Sequence, residues 1–539
     1  MRIRTRGLSL RTGTNAVEGH KAGKNGNALA IREDLRGIIA RGHEAMTAAE
    51  KALLKWLSVF FRKPTPGRFM MRIRMPNGLT SARQIRAIAD VSLRMGNCVV
   101  DITSRQQIQL RGFTLSSVPE IWEQLRGVDL HSLQTGMDNV RNICGCPLAG
   151  LALNELFDAS PMVFALDRMI VGANGNPEFA NLPRKFNMVV TGCLENCTPA
   201  ESQDLALVPA LRKDRAGFNV LVGGKMGSGG FTVASKLDVF VTQGDAASVA
   251  AELIRIFRDH GPREARSKCR LAFLVEEWGL ARLRQELCER LGRSLEPAGR
   301  EVRPDFHHSD HLGVMQQNRP RAMAVGVRIP VGRMDPAQME ELARLAETYG
   351  NGEIRLTMAQ NVIIPNVPDG RLDALLDESL LREFTPRPSP FRRNVVACTG
   401  TDFCSLAQID TKRHAEELST ALEQKLGTTG EARSFHWSGC PAACGNHQAA
   451  DVGFRGLKTK VNGELVEAVA IYGNGRMGPA ATAGEQILEV VPCDHKFASV
   501  VARVIGGLER SVLPSVTPAS PDSLKHEFSK PGEDDTGPD

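Results

Sequence analysis

The sequence predicts an α+β fold made by internal duplication, with two paired half-domains and two larger mixed α/β domains. The motif Arg74-Met75-Pro76-Asn77-Gly78, followed by Arg105-Gln106-Gln107-Ile108, returns 254 residues later as Arg328-Ile329-Pro330-Val331-Gly332 and Ala359-Gln360-Asn361-Val362. From Pro to Gln is 30 residues in both copies. Each copy reads strand, helix, strand, strand, helix, and a sheet carrying helices on one face packs as α+β layers. The run Gly217 to Gly224 faintly echoes Ala468 to Gly475, which extends the duplication toward the larger domains.

The elements follow in chain order. Residues 1–50 form an N-terminal extension and wrapping helix. Its start, Met1 to Asn25, is basic and Gly-rich, lacks the apolar core of a secretory signal, and reads as a flexible extension. Residues 51–122 hold the first half-domain, with a strand over Arg68 to Met75. Ile85, Ile88 and Val91 mark one face of a helix that stops near Gly96. Short strands at Cys98 to Thr103 and Ile108 to Arg111 follow. Residues 125–300 mix helices with strands such as Phe186 to Val190 and Phe218 to Val222. In the second half-domain, 315–378, Asp335-Pro336 starts a helix with a capping residue and a first-turn proline, and Gly350 ends it. Strands near Ile354 to Thr357 and Val362 to Ile364 complete that copy. Residues 380–514 carry two cysteine pairs and a strand at Ala468 to Tyr472. The tail 515–539, rich in Pro, Ser and acidic residues, reads as disordered.

Composition excludes several classes. Hydrophobic residues make up 42% of 539, enough for a sizeable core. No stretch approaches the roughly 20 apolar residues of a membrane span. The 67 basic and 61 acidic residues leave +6, and no basic run interleaved with aromatics suggests nucleic acid. A mild positive balance suits an acidic protein partner. Twelve cysteines without a secretory signal point to a reducing, cytoplasmic setting. Neither a dinucleotide fingerprint nor a phosphate loop is present.

The chemistry concentrates in Cys398 and Cys404, then Cys440 and Cys444. Five and three residues lie inside the pairs and 35 between them. Four thiolates suit zinc or an iron–sulfur cluster; a five-residue gap is loose for structural zinc. Cys404 opens a helical stretch, Ser405 to Leu426, whose N-terminus favours the thiolate. Cys98, Cys144, Cys146, Cys193, Cys197, Cys269, Cys288 and Cys493 read as ordinary reduced, packed cysteines.

With Thr-Gly following Cys398 and Gly-Cys-Pro at Cys440, the chain resembles the siroheme-containing nitrite and sulfite reductases over roughly residues 50–512. The resemblance implies ferredoxin-like half-domains, siroheme- and cluster-binding larger domains, and cofactors at their interface. It makes Cys398, Cys404, Cys440 and Cys444 the ligands of a 4Fe–4S cluster, with Cys444 shared with siroheme. It places Arg72, Arg141 and Lys185 at the substrate face. Arg72 falls on Gly326 in the other copy, so the strand itself needs no cation there. Fixed charge suits an oxyanion losing oxygen as water, and Lys185 can donate protons. Asn187 stands where similar sulfite reductases carry a second lysine; nitrite is a monoanion and sulfite largely a dianion. Thr103, Arg105, Gln109 and Arg111 alternate along one strand and would share a face toward the macrocycle. Where the family commonly has Asn after Cys-Pro, this chain has Ala442, a change that bears on cluster potential.

The implied function is six-electron reduction of nitrite to ammonium, with ferredoxin as donor, in a cytoplasmic monomer. A sulfite reductase with the same cofactors is the alternative. A zinc-stabilised binding protein without catalysis is the remote one.

Overall fold

A computed structural model describes residues 15–227, 229–305 and 309–508; the expected disordered tail, 515–539, lies outside the described residues. Strands β1 (Phe60–Phe61), β2 (Phe69–Ile73), β3 (Leu79–Ser81), β4 (Val100–Ile102) and β5 (Ile108–Phe113) belong to the first repeat. Its helix, Ala82–Met95, starts at a capping box between Ser81 and Gln84, and buries Ile85, Ile88 and Val91. Next come β6 (Val140–Cys144), β7 (Phe186–Val190), β8 (Leu205–Arg212), β9 (Arg215–Val222), β10 (Ser235–Thr242) and the short β11 (Arg300–Glu301). The second repeat holds β12 (Gly313–Gln316), β13 (Ala322–Val327), β14 (Arg333–Met334), β15 (Glu353–Leu356) and β16 (Val362–Pro368). Its helix, Pro336–Tyr349, is capped by Asp335 and ends at Gly350. The last sheet uses β17 (Asn394–Ala397), β18 (Ser434–Ser438), β19 (Val452–Val461), β20 (Glu464–Gly473) and β21 (Glu485–Pro492).

The half-domains pair by exchanging strands. One sheet runs β1-β2-β5-β4-β14, the other β12-β13-β16-β15-β3, so each takes its last strand from the other repeat. The two helices pack together, and Arg86 pairs with Glu340 (3.2 Å) and Glu347 (2.6 Å) across them. The repeated motifs make this junction. Asn77 and Val331 turn the chain with φ of 56° and 45°. A side chain on the following Gly78 would meet the Leu356 carbonyl at 2.4 Å. The glutamines fill the gap: Gln106 Nε2 donates to the carbonyls of Asn77, Gly145 and Leu356, and Gln360 Nε2 to that of Ile102. Their Oε1 atoms accept from Gly145 N–H and Ala397 N–H. Each glutamine thus joins both half-domains to one of the large sheets.

The large sheets repeat each other too. In β6 to β10 and again in β17 to β21, three parallel strands are followed by two antiparallel ones, in the same order. The crossover that a parallel pair requires is Ser160–Ile170 in the first and Thr411–Leu426 in the second. A bridge after the fourth strand, Lys225 to Thr232 or Arg476 to Thr482, recurs as well. The faint echo read in the sequence is therefore a duplicated fold. One hydrophobic core runs through the half-domains and the first large sheet, and a second lies under the other.

Two local expectations fail. The helix expected from Ser405 begins at Thr411, because Asp410 caps it through the N–H of Arg413, while Gln408 N–H is drawn to the Gly439 carbonyl at 2.7 Å. Residues 15–25 are not a flexible extension. The helix Ala16–Ala22 buries Lys21, whose ammonium pairs with Glu18 and donates to the Leu182 carbonyl at 3.0 Å. No helix among the described residues is long and apolar enough to cross a membrane.

Candidate active site

A cavity forms where the β4–β5 turn, β2, the start of β7 and both cysteine loops converge, and Cys398, Cys404, Cys440 and Cys444 all line it. Cys398 leaves the end of β17, with its N–H on the Trp437 carbonyl at 3.0 Å, and its sulfur accepts from Gly439 N–H at 3.1 Å. Cys404 lies in a turn closed by its N–H to the Gly400 carbonyl at 3.1 Å, upstream of the helix rather than at its first turn. The helix dipole expected there is not supplied. Ala443, with φ of 53°, turns the chain between Cys440 and Cys444. Behind it Gly445 packs so closely that a Cβ would lie 2.0 Å from the Trp437 carbonyl. Burial first, then the neighbouring Cys444, pushes the Cys398 thiol up to about 11. Cys444 is the exposed member of the four.

Six cations line the cavity: Arg62, Arg72, Arg105, Arg141, Lys185 and Lys412. One carboxylate faces them, Asp101, and it is engaged by Arg111 (2.6 Å), Arg333 (2.9 Å) and Lys412 (3.5 Å). Arg72 and Arg141 both donate to the Thr135 carbonyl, which sets them side by side, and Arg72 lies over the Phe60 ring. Burial, then Arg62, pulls Arg72 down to about 9. Burial and the neighbours Arg72 and Arg105 pull Arg141 down; burial, Arg270 and Arg105 do the same to Lys185. The Nε atoms of Arg62 and Arg141 are buried without an acceptor among the described residues. Crowded, desolvated cations of this kind call for an anionic ligand.

Asn187, buried on β7, is held at both ends. Its N–H donates to Asp204 at 2.7 Å, and its side-chain oxygen accepts from Arg105 Nε at 3.2 Å. Asp204 is fixed in turn by a two-pronged pair with Arg270, both contacts 2.7 Å. Arg62, Lys412 and the Asp204–Arg270 pair escaped the sequence reading as site parts. Lys412 reaches the cavity from the first turn of a helix, and no local signal marks it.

The expected row of four polar residues is corrected. Gln109 and Arg111 lie on β5, but Thr103 and Arg105 belong to the tight β4–β5 turn, where Gln106 has φ of 52°. Thr103, Arg105 and Gln109 line the cavity, whereas Arg111 is 1% exposed behind it, with its charge matched by Asp101. It donates to Gln109 Oε1 at 2.5 Å and to Thr399 at 3.1 Å. Cys144, Cys146, Cys193 and Cys197 are buried away from this cavity.

The nitrite and sulphite reductase 4Fe–4S domain matches residues 136–295 and 389–506, and the nitrite/sulfite reductase ferredoxin-like half domain matches 61–128 and 315–380. The chain belongs to the nitrite and sulfite reductase family. A ferredoxin–nitrite reductase of Synechococcus elongatus is 42% identical over 484 residues, 89% of this chain and 94% of that protein. An assimilatory ferredoxin-dependent nitrite reductase of Haloferax mediterranei is 38% identical over 510 residues, 88% and 86% of the two chains. The structure of Mycobacterium tuberculosis NirA protein superposes with a TM-score of 0.85 at 30% identity, covering 93% of this chain and 94% of that one. The protein is thus an oxidoreductase of siroheme and 4Fe–4S chemistry. Its cavity fits both groups: four thiols for the cluster, and five cations without a carboxylate partner among the described residues for a macrocycle bearing eight carboxylates.

Proposed function

We propose that this protein reduces nitrite to ammonium with electrons from ferredoxin. Nitrogen passes from oxidation state +3 to −3, so six electrons are taken up singly while the two oxygens leave as water. Cys398, Cys404, Cys440 and Cys444 would hold the cluster, and Cys444, the most exposed of the four, would also serve the siroheme. Bound together, these groups would supply electrons one at a time to the substrate. Thr103, Arg105 and Gln109 address the macrocycle's carboxylates, and Arg111 fixes Gln109 from behind. Arg72 and Arg141 hold the oxyanion. Lys185, its pKa lowered by burial, Arg270 and Arg105, gives up a proton more readily than an exposed lysine does and regains it from solvent.

The observation that carries nitrite over sulfite is Asn187, a neutral amide fastened between Asp204 and Arg105 where a second ammonium would favour a dianion. The activities named for the two relatives support the same reading. With Ala442 in that place, Asn446, which also lines the cavity, is a polar substitute near the cluster. The setting is cytoplasmic nitrate assimilation, and the protein acts as a monomer that docks an acidic donor.

Anaerobic turnover with reduced methyl viologen, scoring ammonium from nitrite and sulfide from sulfite, tests this. The expected result is a kcat/KM for nitrite well above that for sulfite. Faster sulfide production overturns the assignment.

A further inference from the structure

A second group of sulfur ligands sits in the first large sheet, apart from the cavity just described. Cys146 follows β6, Cys193 and Cys197 follow β7, and His311 precedes β12. All four are buried. The ligand atoms of Cys146, Cys197 and His311 lie within 4.8 Å of one another, with Cys146 Sγ 3.8 Å from His311 Nε2. The Cys193 side chain packs in the same buried cluster as Cys146 and Cys197.

We propose that Cys146, Cys193, Cys197 and His311 bind a structural zinc ion. Three thiolates and an imidazole form one of the ligand sets of tetrahedral structural zinc, and a three-residue gap between Cys193 and Cys197 lies within its usual range. Zinc–sulfur bonds of about 2.3 Å and a zinc–nitrogen bond of about 2.0 Å place tetrahedral ligand atoms roughly 3.5 to 3.8 Å apart. The three ligand atoms within 4.8 Å close to that with small side-chain rotations, and Cys193, in the same buried cluster, turns in to complete the set. A four-iron cube would hold its thiolates farther apart than one ion does. The supporting shell is present. Ser309 Oγ lies 3.4 Å from His311 Nδ1, leaving Nε2 toward the thiols, and Glu195 N–H donates to Cys193 Sγ at 3.3 Å. Cys197 and His311 also border a neighbouring cavity, which gives the ion a way in.

The duplication gives the site a context. The Gly192-Cys193-x-x-x-Cys197 loop after β7 occupies the place of Gly439-Cys440-x-x-x-Cys444 after β18. Cys146 stands where Cys398 does: Gly145 and Ala397, each just before its cysteine, give their N–H groups to the paired glutamines Gln106 and Gln360, while Cys144, two residues earlier, turns its thiol to the Asn142 carbonyl at 3.6 Å. Three thiols of the set thus repeat, His311 comes in as the fourth group, and the set contracts from one suited to a cube to one suited to an ion. Binding turns three thiols into thiolates, releases three protons, and takes His311 as the neutral base. The ion would tie the first large sheet to the segment entering the second half-domain.

Element analysis of the holoenzyme, purified with zinc available, should find about one zinc per chain besides the iron of the cofactors. Its zinc-edge X-ray absorption should show three sulfurs at about 2.3 Å and one nitrogen at about 2.0 Å. A Cys146→Ser/Cys197→Ser double variant should lose at least about nine-tenths of that zinc while keeping siroheme absorbance. Should that variant fail to fold, the wild-type edge spectrum decides alone. A zinc-free holoenzyme, a zinc shell dominated by oxygen, or a disulfide among these cysteines found by mass spectrometry overturns the proposal.

Discussion

Asn187→Lys tests how the cavity's charge selects its anion. Asn187 Oδ1 lies 3.2 Å from Arg105 Nε, so an ammonium introduced there stands about 4 Å from a guanidinium. At an effective dielectric near 20 that repulsion is about 4 kcal/mol. It lowers the new group's pKa, as the same surroundings lower that of Lys185, and it weakens cofactor-free protein. The repulsion is common to both substrates and cancels from their ratio. An anion about 5 Å from the new charge gains roughly 3 kcal/mol per unit of its own charge. A dianion therefore gains about 3 kcal/mol over a monoanion, about a hundredfold in relative kcat/KM. Partial neutralisation of the new ammonium reduces this. The assay is anaerobic turnover of both anions by reduced methyl viologen near neutral pH, on protein whose siroheme absorbance matches the parent. The sulfite-to-nitrite ratio of kcat/KM should rise about ten- to a hundredfold. A ratio unchanged within about twofold, or moved toward nitrite, would refute the reasoning that charge count at this position sets specificity.

Two further outcomes follow from named contacts. Lys185 donates protons only while charged, and its pKa is lowered by burial, Arg270 and Arg105; kcat/KM should therefore fall as pH rises through a value below the ordinary lysine range. Lys185→Arg, charged throughout, should remove that alkaline limb while lowering the rate, and a limb that persists assigns it to another group. Gln360→Leu strips partners from the Ile102 carbonyl and the Ala397 N–H, at about 1–3 kcal/mol for each buried group left bare. The denaturant midpoint should drop accordingly, and an unchanged midpoint means that the glutamine does not staple the half-domains.

What was legible in the chain is local chemistry. Asp335-Pro336 and Gly350 bound a helix because capping groups act on their own first and last turns, and Phe186 to Val190 reads as a strand because all but Asn187 of its five residues are apolar. Cys404 misled because Ser405 begins a helix-compatible run, while the decisive cap, Asp410, lies five residues further on. The exchanged strands, Leu79–Ser81 and Arg333–Met334, are too short to carry a period and find partners only in the other repeat. His311 could not be placed from sequence either, because nothing nearby announces three thiols. Its position nonetheless explains one sequence observation. Gly326, the counterpart of Arg72, packs so tightly that a Cβ would lie 1.6 Å from the His311 carbonyl. In the first copy the strand position is open enough for a guanidinium over Phe60, facing the anion-seeking cavity. In the second it must be glycine, because the segment bearing His311 lies against it. The two halves kept one scaffold and diverged at the residues that a side chain at this position either admits or excludes.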